Sequence, residues 1–472
     1  MVFSSFIFIF YFLPLCAGTY FLAPKFLRNF VLLVWSLLFY AWGAPKIFVL
    51  YVVSCVLDFI LARLLEGDRT DRKRKLILSA SIILNIGALL YYKYFNFFLG
   101  DLNSLLVSFG FSKIEIAKII LPIGISFFTF HKISYVVDVY RRTVKPASNF
   151  INYALYISLF PQLVAGPIVR FHDICADLEE REHSIDKIFD GFCRFSMGLA
   201  KKILIADVLG AVADRVFSQP ELHMSGLIAW LGIVCYAYQI YFDFSGYSDM
   251  AIGLAKVFGF TFLENFDRPY TAKNITEFWR RWHISLSRWM RDYLYIPLGG
   301  NRFGALRTYF NLWIVFFISG LWHGASWNFV FWGCFHGFFL CLDRLVWLKV
   351  SKFLPSFIQT LLTFIVVLIG WVFFRLDTFP KALSYLTMMF DPSRFFVAEK
   401  LIPRAQFIQD HGVFIFVLAS LLCFLPSLEI SRIRISESTL LTLKAFGCLA
   451  LFVLSILSLA SANYSPFIYF QF

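Results

Sequence analysis

The stretch "SGLWHGASWNFVFW" runs from Ser319 to Trp332. It lies inside 35 residues, 308–342, that contain no Asp, Glu, Lys or Arg. A membrane-spanning helix takes about 20 mainly apolar residues, so this run is long enough for two passes or one broken pass. His323 stands in the middle of it. An ionisable side chain at membrane depth is costly and marks a functional position by default. A single histidine in such a run also serves as a hydrogen-bonding group in helix packing. Gly320 and Gly324 flank His323 without side chains, which permits close backbone approach or a break. Ser326 and Asn328 add polar groups nearby. His336, 13 residues on and at a different helical angle, is expected outside this cluster, as a packing residue.

The rest of the chain has the same character. Of 472 residues, 59% are hydrophobic, 20% aromatic and only 15% charged, where a soluble domain carries about 25% charged residues. Further uncharged runs cover 1–24, 29–45, 76–92, 149–169, 226–242, 353–374, 411–428 and 445–472, with shorter ones at 47–57 and 119–131. They predict an all-α polytopic membrane protein with about 10 to 12 transmembrane or re-entrant helices. The whole of 1–472 reads as a single membrane domain. Residues 1–145 are its first spans, 146–345 its motif-bearing core and 346–472 its last spans.

Charge sets the expected orientation. The first 24 residues are uncharged, and Lys25 and Arg28 follow them. This is the order of an anchored first helix with its N-terminus outside, not of a secretory signal. "EGDRTDRKRK" (66–75) carries five Lys or Arg and is expected in the cytoplasm. The formal charge of +13 fits positive-inside loops, so no nucleic-acid partner is expected. Nine scattered cysteines without a CxxC pair suggest buried thiols rather than a metal site or a disulfide framework. Phosphate-loop, dinucleotide, zinc-protease and nucleophile-elbow motifs are absent from the sequence.

Several features stand out between the spans. "NITEFWRRWHISLSRWMRDYLYIPLGGNR" (274–302) reads as one amphipathic helix, opened by Asn274 with Glu277 three residues on. Ile275, Phe278, Trp279, Trp282, Leu286, Trp289, Met290 and Tyr293 form an apolar stripe. Arg280, Arg281, Arg288 and Arg291 lie opposite. Such a helix suits a cytoplasmic interface. His283 falls at the edge of the apolar stripe, from where it can enter a protein interior. Asp243 and Asp249 in "YFDFSGYSDM" (241–250) line a pore mouth, fix a helix break, or are solvated where a span leaves the membrane. Pro161, Gly166 and Pro167 suggest a broken or re-entrant segment, which is tolerable only where it is buried in protein or lines water. Residues 170–202 read as interfacial or cytoplasmic amphipathic helices, and 377–409 as a loop.

Long ordered strings now carry a resemblance. "SGLWHGASWNFVFWGCFHG", "FDRPYTAKNITEFWRRWHISLSRWMRDYLYIPLGGNR", "YFDFSGYSDMAIGLAKVFGF", "FPQLVAGPIVR" and the opening "MVFSSFIFIFYFLPL" resemble the membrane-bound O-acyltransferase family. The resemblance is strongest to its bacterial alginate O-acetyltransferase branch and runs from Met1 to about His336. It implies tilted helices around a central pore. Acyl donor would enter on one side and the acceptor hydroxyl on the other. The family's hallmark histidine matches His323, and the second polar position of its site matches His283. His323 would be the general base. His283 would orient the acyl group or hydrogen-bond the oxyanion. Arg280, Arg281, Asp243, Asp292 and Asn328 are further candidates for lining the pore or binding the donor.

The implied donor is acetyl-CoA, with no bound cofactor and no metal. The implied acceptor is a cell-surface polysaccharide, reached directly or through an extracytoplasmic SGNH-like acetyltransferase. The implied location is the bacterial inner membrane. Peptidoglycan acetylation and D-alanyl transfer to teichoic acid are the enzymatic alternatives. A transporter or flippase is the non-enzymatic one.

Overall fold

The computed structural model describes the chain except residues 68, 220–224, 396–407, 426–435, 462–466 and 468–472. A backbone in lipid must satisfy its polar groups internally, and a helix does so within one segment. Helices form throughout, and there is no strand among the described residues. Among the described residues, eight helices are long and apolar enough to cross a membrane: Lys25–Gly43, Pro45–Leu64, Asp71–Ser108, Gly226–Val257, Gly304–His323, Trp327–Phe353, Ser356–Arg375 and Glu437–Ser461. Phe8–Leu22 and Asp410–Phe424 are shorter apolar helices. The chain is an all-α, multi-pass membrane protein. The apolar helices among the described residues number at the lower end of the range expected from apolar runs. The expected loop over 377–409 contains a helix, Phe379–Phe390, and its part over 396–407 lies outside the described residues. So does most of 462–472, the end of the last apolar run.

The described residues gather into two compact units, residues 1–191 with 254–263, and residues 192–253 with 264–472. The first unit has a polar centre. Asp58 accepts hydrogen bonds from Ser81 Oγ and Asn85 Nδ2, each at 2.8 Å, and Lys132 Nζ lies 3.5 Å from its other oxygen. Lys132 also donates to Ser54. A buried ion pair persists when its remaining polar atoms are bonded in this way. The run 149–169 is broken, as its prolines and Gly166 suggest. Asn149 caps the helix Phe150–Ser158 by accepting from Asn152 N at 2.9 Å. The chain kinks at Leu159 and resumes for one turn, Phe160–Leu163. A Cβ at Gly166 would sit 2.4 Å from the Pro161 carbonyl oxygen, so only glycine fits there. From Tyr153 to Val169 the segment is buried in protein.

The second unit holds residues 226–253 of the long helix Gly226–Val257. Gly246 of this helix packs against Gly198 of the helix Ile185–Ala200. A Cβ on Gly198 would meet the Gly246 carbonyl oxygen at 2.4 Å. This close crossing, with the wide turn Lys201–Ala206 that follows, sets basic side chains against the middle of the long helix.

Candidate active site

The site is built on a hairpin. Helices Gly304–His323 and Trp327–Leu342 are joined by residues 324–326, so the 35-residue apolar run makes two arms. Gly324 ends the first arm in an extended conformation, and a Cβ there would overlap the Phe329 ring. Gly320 and Gly333 let the arms touch. A Cβ on Gly320 would lie 2.3 Å from the Phe329 carbonyl oxygen, and one on Gly333 would lie 2.2 Å from that of Phe316. Small residues at such crossings are the usual way membrane helices approach closely.

His323 is therefore the last residue of its helix, and it is buried. Aromatic rings box it in: Trp322 at 4.8 Å, Trp332 at 4.9 Å and Phe374 at 5.3 Å between ring centres. His336, expected elsewhere, belongs to the same cluster. Its ring lies 4.9 Å from Trp332 and 5.1 Å from Trp279. The break after His323 resets the helical phase, so a wheel angle carried across it has no meaning. The returning arm brings His336 back alongside. Asn328 is buried and donates to the Leu376 carbonyl, tying the hairpin to the end of helix Ser356–Arg375.

The segment 274–302 is not one helix. It is two short helices, Ile275–Arg281 and Ile284–Met290, followed by a wide turn, Arg291–Tyr295. Asn274 caps the first by accepting from Glu277 N at 2.7 Å, a contact typically worth about 1 kcal/mol. Glu277 reaches back to Lys273 N, one residue before the expected box partner. Between the helices Trp282 is extended and His283 is left-handed, with φ 43°. The preceding loop pins this kink on both sides. Asp267 N donates to the Arg281 carbonyl, and Ile284 N donates to the Asn265 carbonyl, each at 2.9 Å. A left-handed non-glycine residue is uncommon and persists only where its surroundings hold it. Most of the stripe is nonetheless buried as expected: Ile275, Phe278, Trp279, Trp282, Leu286, Trp289 and Met290.

His283 is fully buried. Its ring packs edge-on against Phe244 at 4.7 Å and lies 6.2 Å from Trp322, which in turn touches His323. Burial pushes its imidazole down to about 3, so the ring is neutral at physiological pH. His283, His323 and His336 thus share one aromatic enclosure, connected through Trp322, Trp332 and Trp279.

The basic residues separate. Arg281 is engaged within the fold, with Glu277 at 2.6 Å and Thr271 Oγ1 at 3.0 Å. Arg280 is exposed and lines a cavity of about 240 Å³ together with Arg291 and Arg344. The walls of that cavity include Trp279, Leu286, Met290 and Phe316. It is an apolar groove with a basic rim. Asp292 pairs with its chain neighbour Arg291 at 2.7 Å.

Asp243 and Asp249 mark neither a break nor a solvated exit. Both lie in the unbroken helix Gly226–Val257 and both are buried. Lys202 bridges Asp243 at 2.8 Å and Asp207 at 2.6 Å. Asp249 meets Lys201 at 2.6 Å and Arg194 at 2.7 Å. The counter-charges come from the sequence just after 190, too distant along the chain for local reading to pair them. Asn265 and Ser248 also escaped sequence reasoning, because a lone Asn or Ser carries no pattern.

The buried histidine cluster thus stands beside an apolar groove with a basic rim, the two sharing Trp279. Residues 124–378 match the membrane-bound O-acyltransferase family, MBOAT, and the chain belongs to that family and is an O-acyltransferase. Its relatives include the Pseudomonas putida protein named probable alginate O-acetylase AlgI, 40% identical over 491 residues that cover 100% of both chains. The Pseudomonas aeruginosa protein of the same name is 37% identical over 530 residues, again covering 100% of both. The peptidoglycan O-acetyltransferase of Helicobacter pylori is 37% identical over 424 residues, covering 82% of this chain and 80% of that one.

Proposed function

We propose that this enzyme takes acetyl groups from a cytoplasmic donor, acetyl-CoA, for the O-acetylation of an extracytoplasmic polysaccharide, in the bacterial inner membrane. The observation that carries this reading is similarity along the whole length to proteins named alginate O-acetylases. The acceptor is an alginate-like or other cell-surface glycan, reached directly or through an extracytoplasmic SGNH-like acetyltransferase. His323 is the general base: it takes the acceptor hydroxyl proton as that oxygen bonds to the acyl carbon. The carbon–sulfur bond then breaks, and the thiolate leaves and takes up the proton. His283 orients the acyl donor or the acceptor hydroxyl. The groove rimmed by Arg280, Arg291 and Arg344 suits a ligand with an apolar arm and phosphates, since guanidinium forks match phosphate oxygens.

A peptidoglycan acceptor is the second reading, favoured by the Helicobacter pylori relative. The deciding experiment is the acetyl-ester content of isolated surface polymers from cells with and without the gene. Loss of ester from one polymer names the acceptor. Unchanged ester on every polymer would refute the proposal.

A further inference from the structure

Asn265 is buried on the loop that pins the His283 kink, and its side chain makes four contacts with three residues. Its Oδ1 lies 3.1 Å from Ser285 N, 2.8 Å from Ser285 Oγ and 3.1 Å from His283 Nδ1. Its Nδ2 lies 3.0 Å from Ser248 Oγ. The two ends of an amide are told apart only by their partners. Here one partner decides, because the backbone N–H of Ser285 can only donate. The atom facing it is the amide oxygen, and the same oxygen faces His283 Nδ1. An oxygen acceptor there requires the hydrogen on Nδ1. In the neutral ring the other nitrogen, Nε2, then carries a lone pair. Nε2 is buried and has no hydrogen-bond partner among the described residues.

We infer that Asn265, steadied by Ser248, is a positioning residue that locks His283 in the Nδ1–H tautomer, so that Nε2 meets a substrate as a hydrogen-bond acceptor. This excludes the oxyanion role for the neutral ring, since Nε2 has no hydrogen to give. The group it takes is an O–H or N–H of the acyl donor or of the acceptor. An amide-bearing thioester arm and a sugar hydroxyl both supply one. The substrate's identity rests on the acyl-transfer reading, whereas the state of the ring does not.

The test has two arms. The first uses purified wild-type protein labelled with ¹⁵N-histidine, and His283→Gln to assign the signal. The expected spectrum shows His283 with a protonated Nδ1 and an unprotonated Nε2. A protonated Nε2 overturns the inference, whatever the enzyme acylates.

The second arm measures acetyl transfer in reconstituted vesicles. Asn265→Leu removes the acceptor and lowers transfer by at least about tenfold. Asn265→Asp keeps an oxygen toward Nδ1 and Ser285 N and restores most of it. A rise in the donor KM assigns the contact to the donor, and a rise in the acceptor KM assigns it to the hydroxyl. Wild-type kinetics in Asn265→Leu, or an Asp variant no better than Leu, overturns the inference.

Discussion

His323 and His336 stand on opposite arms of one hairpin and share a single indole, the Trp332 ring centre lying 4.9 Å from each. The shared ring does not make them equivalent. His323 ends its helix at the hairpin turn, whereas His336 lies within the second arm. His323→Ala is expected to insert and accumulate normally while polymer acetylation falls about 10²–10⁴-fold, the usual effect of losing a general base. Acetyl-ester assay of cells expressing the variant checks it. Wild-type ester levels would remove His323 from that role.

His336 is held from behind by Gly370. A Cβ at that glycine would come within 2.9 Å of His336 Nε2 and 3.4 Å of the Phe335 ring. Gly370→Ala is expected to overpack the enclosure and cost about 1–3 kcal/mol. Thermal unfolding in detergent should show a lower Tm. An unchanged Tm would mean that the His336 ring can turn aside.

Arg280 and Arg281 are adjacent in sequence and differ in surroundings. Arg281→Lys loses the fork that reaches both Glu277 and Thr271, and should lower thermal stability with the donor KM unchanged. Arg280→Lys keeps the charge at the groove but not the planar fork, and should raise the donor KM with stability unchanged. Vesicle assays with donor supplied on the cytoplasmic side measure the first quantity, and unfolding curves the second. A donor KM unmoved by Arg280→Lys would make this arginine an interfacial anchor.

Residues 66–75 and 274–307 are both expected on the cytoplasmic side, because both are rich in Lys and Arg. Single cysteines placed there should resist an impermeant maleimide in intact cells and react once the inner membrane is opened. Labelling of either segment in intact cells would reverse the assignment.

His172 links stability to pH. Its hydrogen bond to Asp138, 2.8 Å from Nδ1, raises its pKa above the ordinary histidine value, with partial burial opposing. A raised folded-state pKa stabilises fully below the unfolded value of about 6.5 and is lost as pH rises through the folded value. The wild-type Tm should therefore decline as pH rises above about 6.5, and His172→Gln should flatten that part of the profile. Parallel profiles would show that the pair contributes nothing.

Much of this was legible in sequence because it is local. Apolar runs located the spans, the two glycines flanking His323 marked a close approach and a break, and Asn274 marked a helix start. The losses came where the chain turns sharply. The left-handed backbone at His283 cuts a convincing amphipathic pattern in two, and nothing in "RRWHIS" announces it. The cause lies in the loop at 265–267, whose backbone brackets the kink. The ion pairs of Asp243 and Asp249 were missed for a similar reason. Their cations come from another helix and its following turn, so a charge that looked solvent-bound is compensated inside the fold.

The helix Gly304–His323 begins at a glycine with φ 83° and ends against the break at Gly324, with His323 as its last residue. Both ends are thus fixed by backbone rather than by side chains. One residue inserted between them would advance the imidazole by about 1.5 Å and swing it through about 100°. It would also move Gly320 off its contact with Gly333. Exposed positions of this arm such as Phe310 and Phe317 can change identity freely among apolar residues. The number of residues in this arm cannot change without misaligning the imidazole, so the segment acts as a fixed-length gauge that tolerates substitution and forbids insertion or deletion.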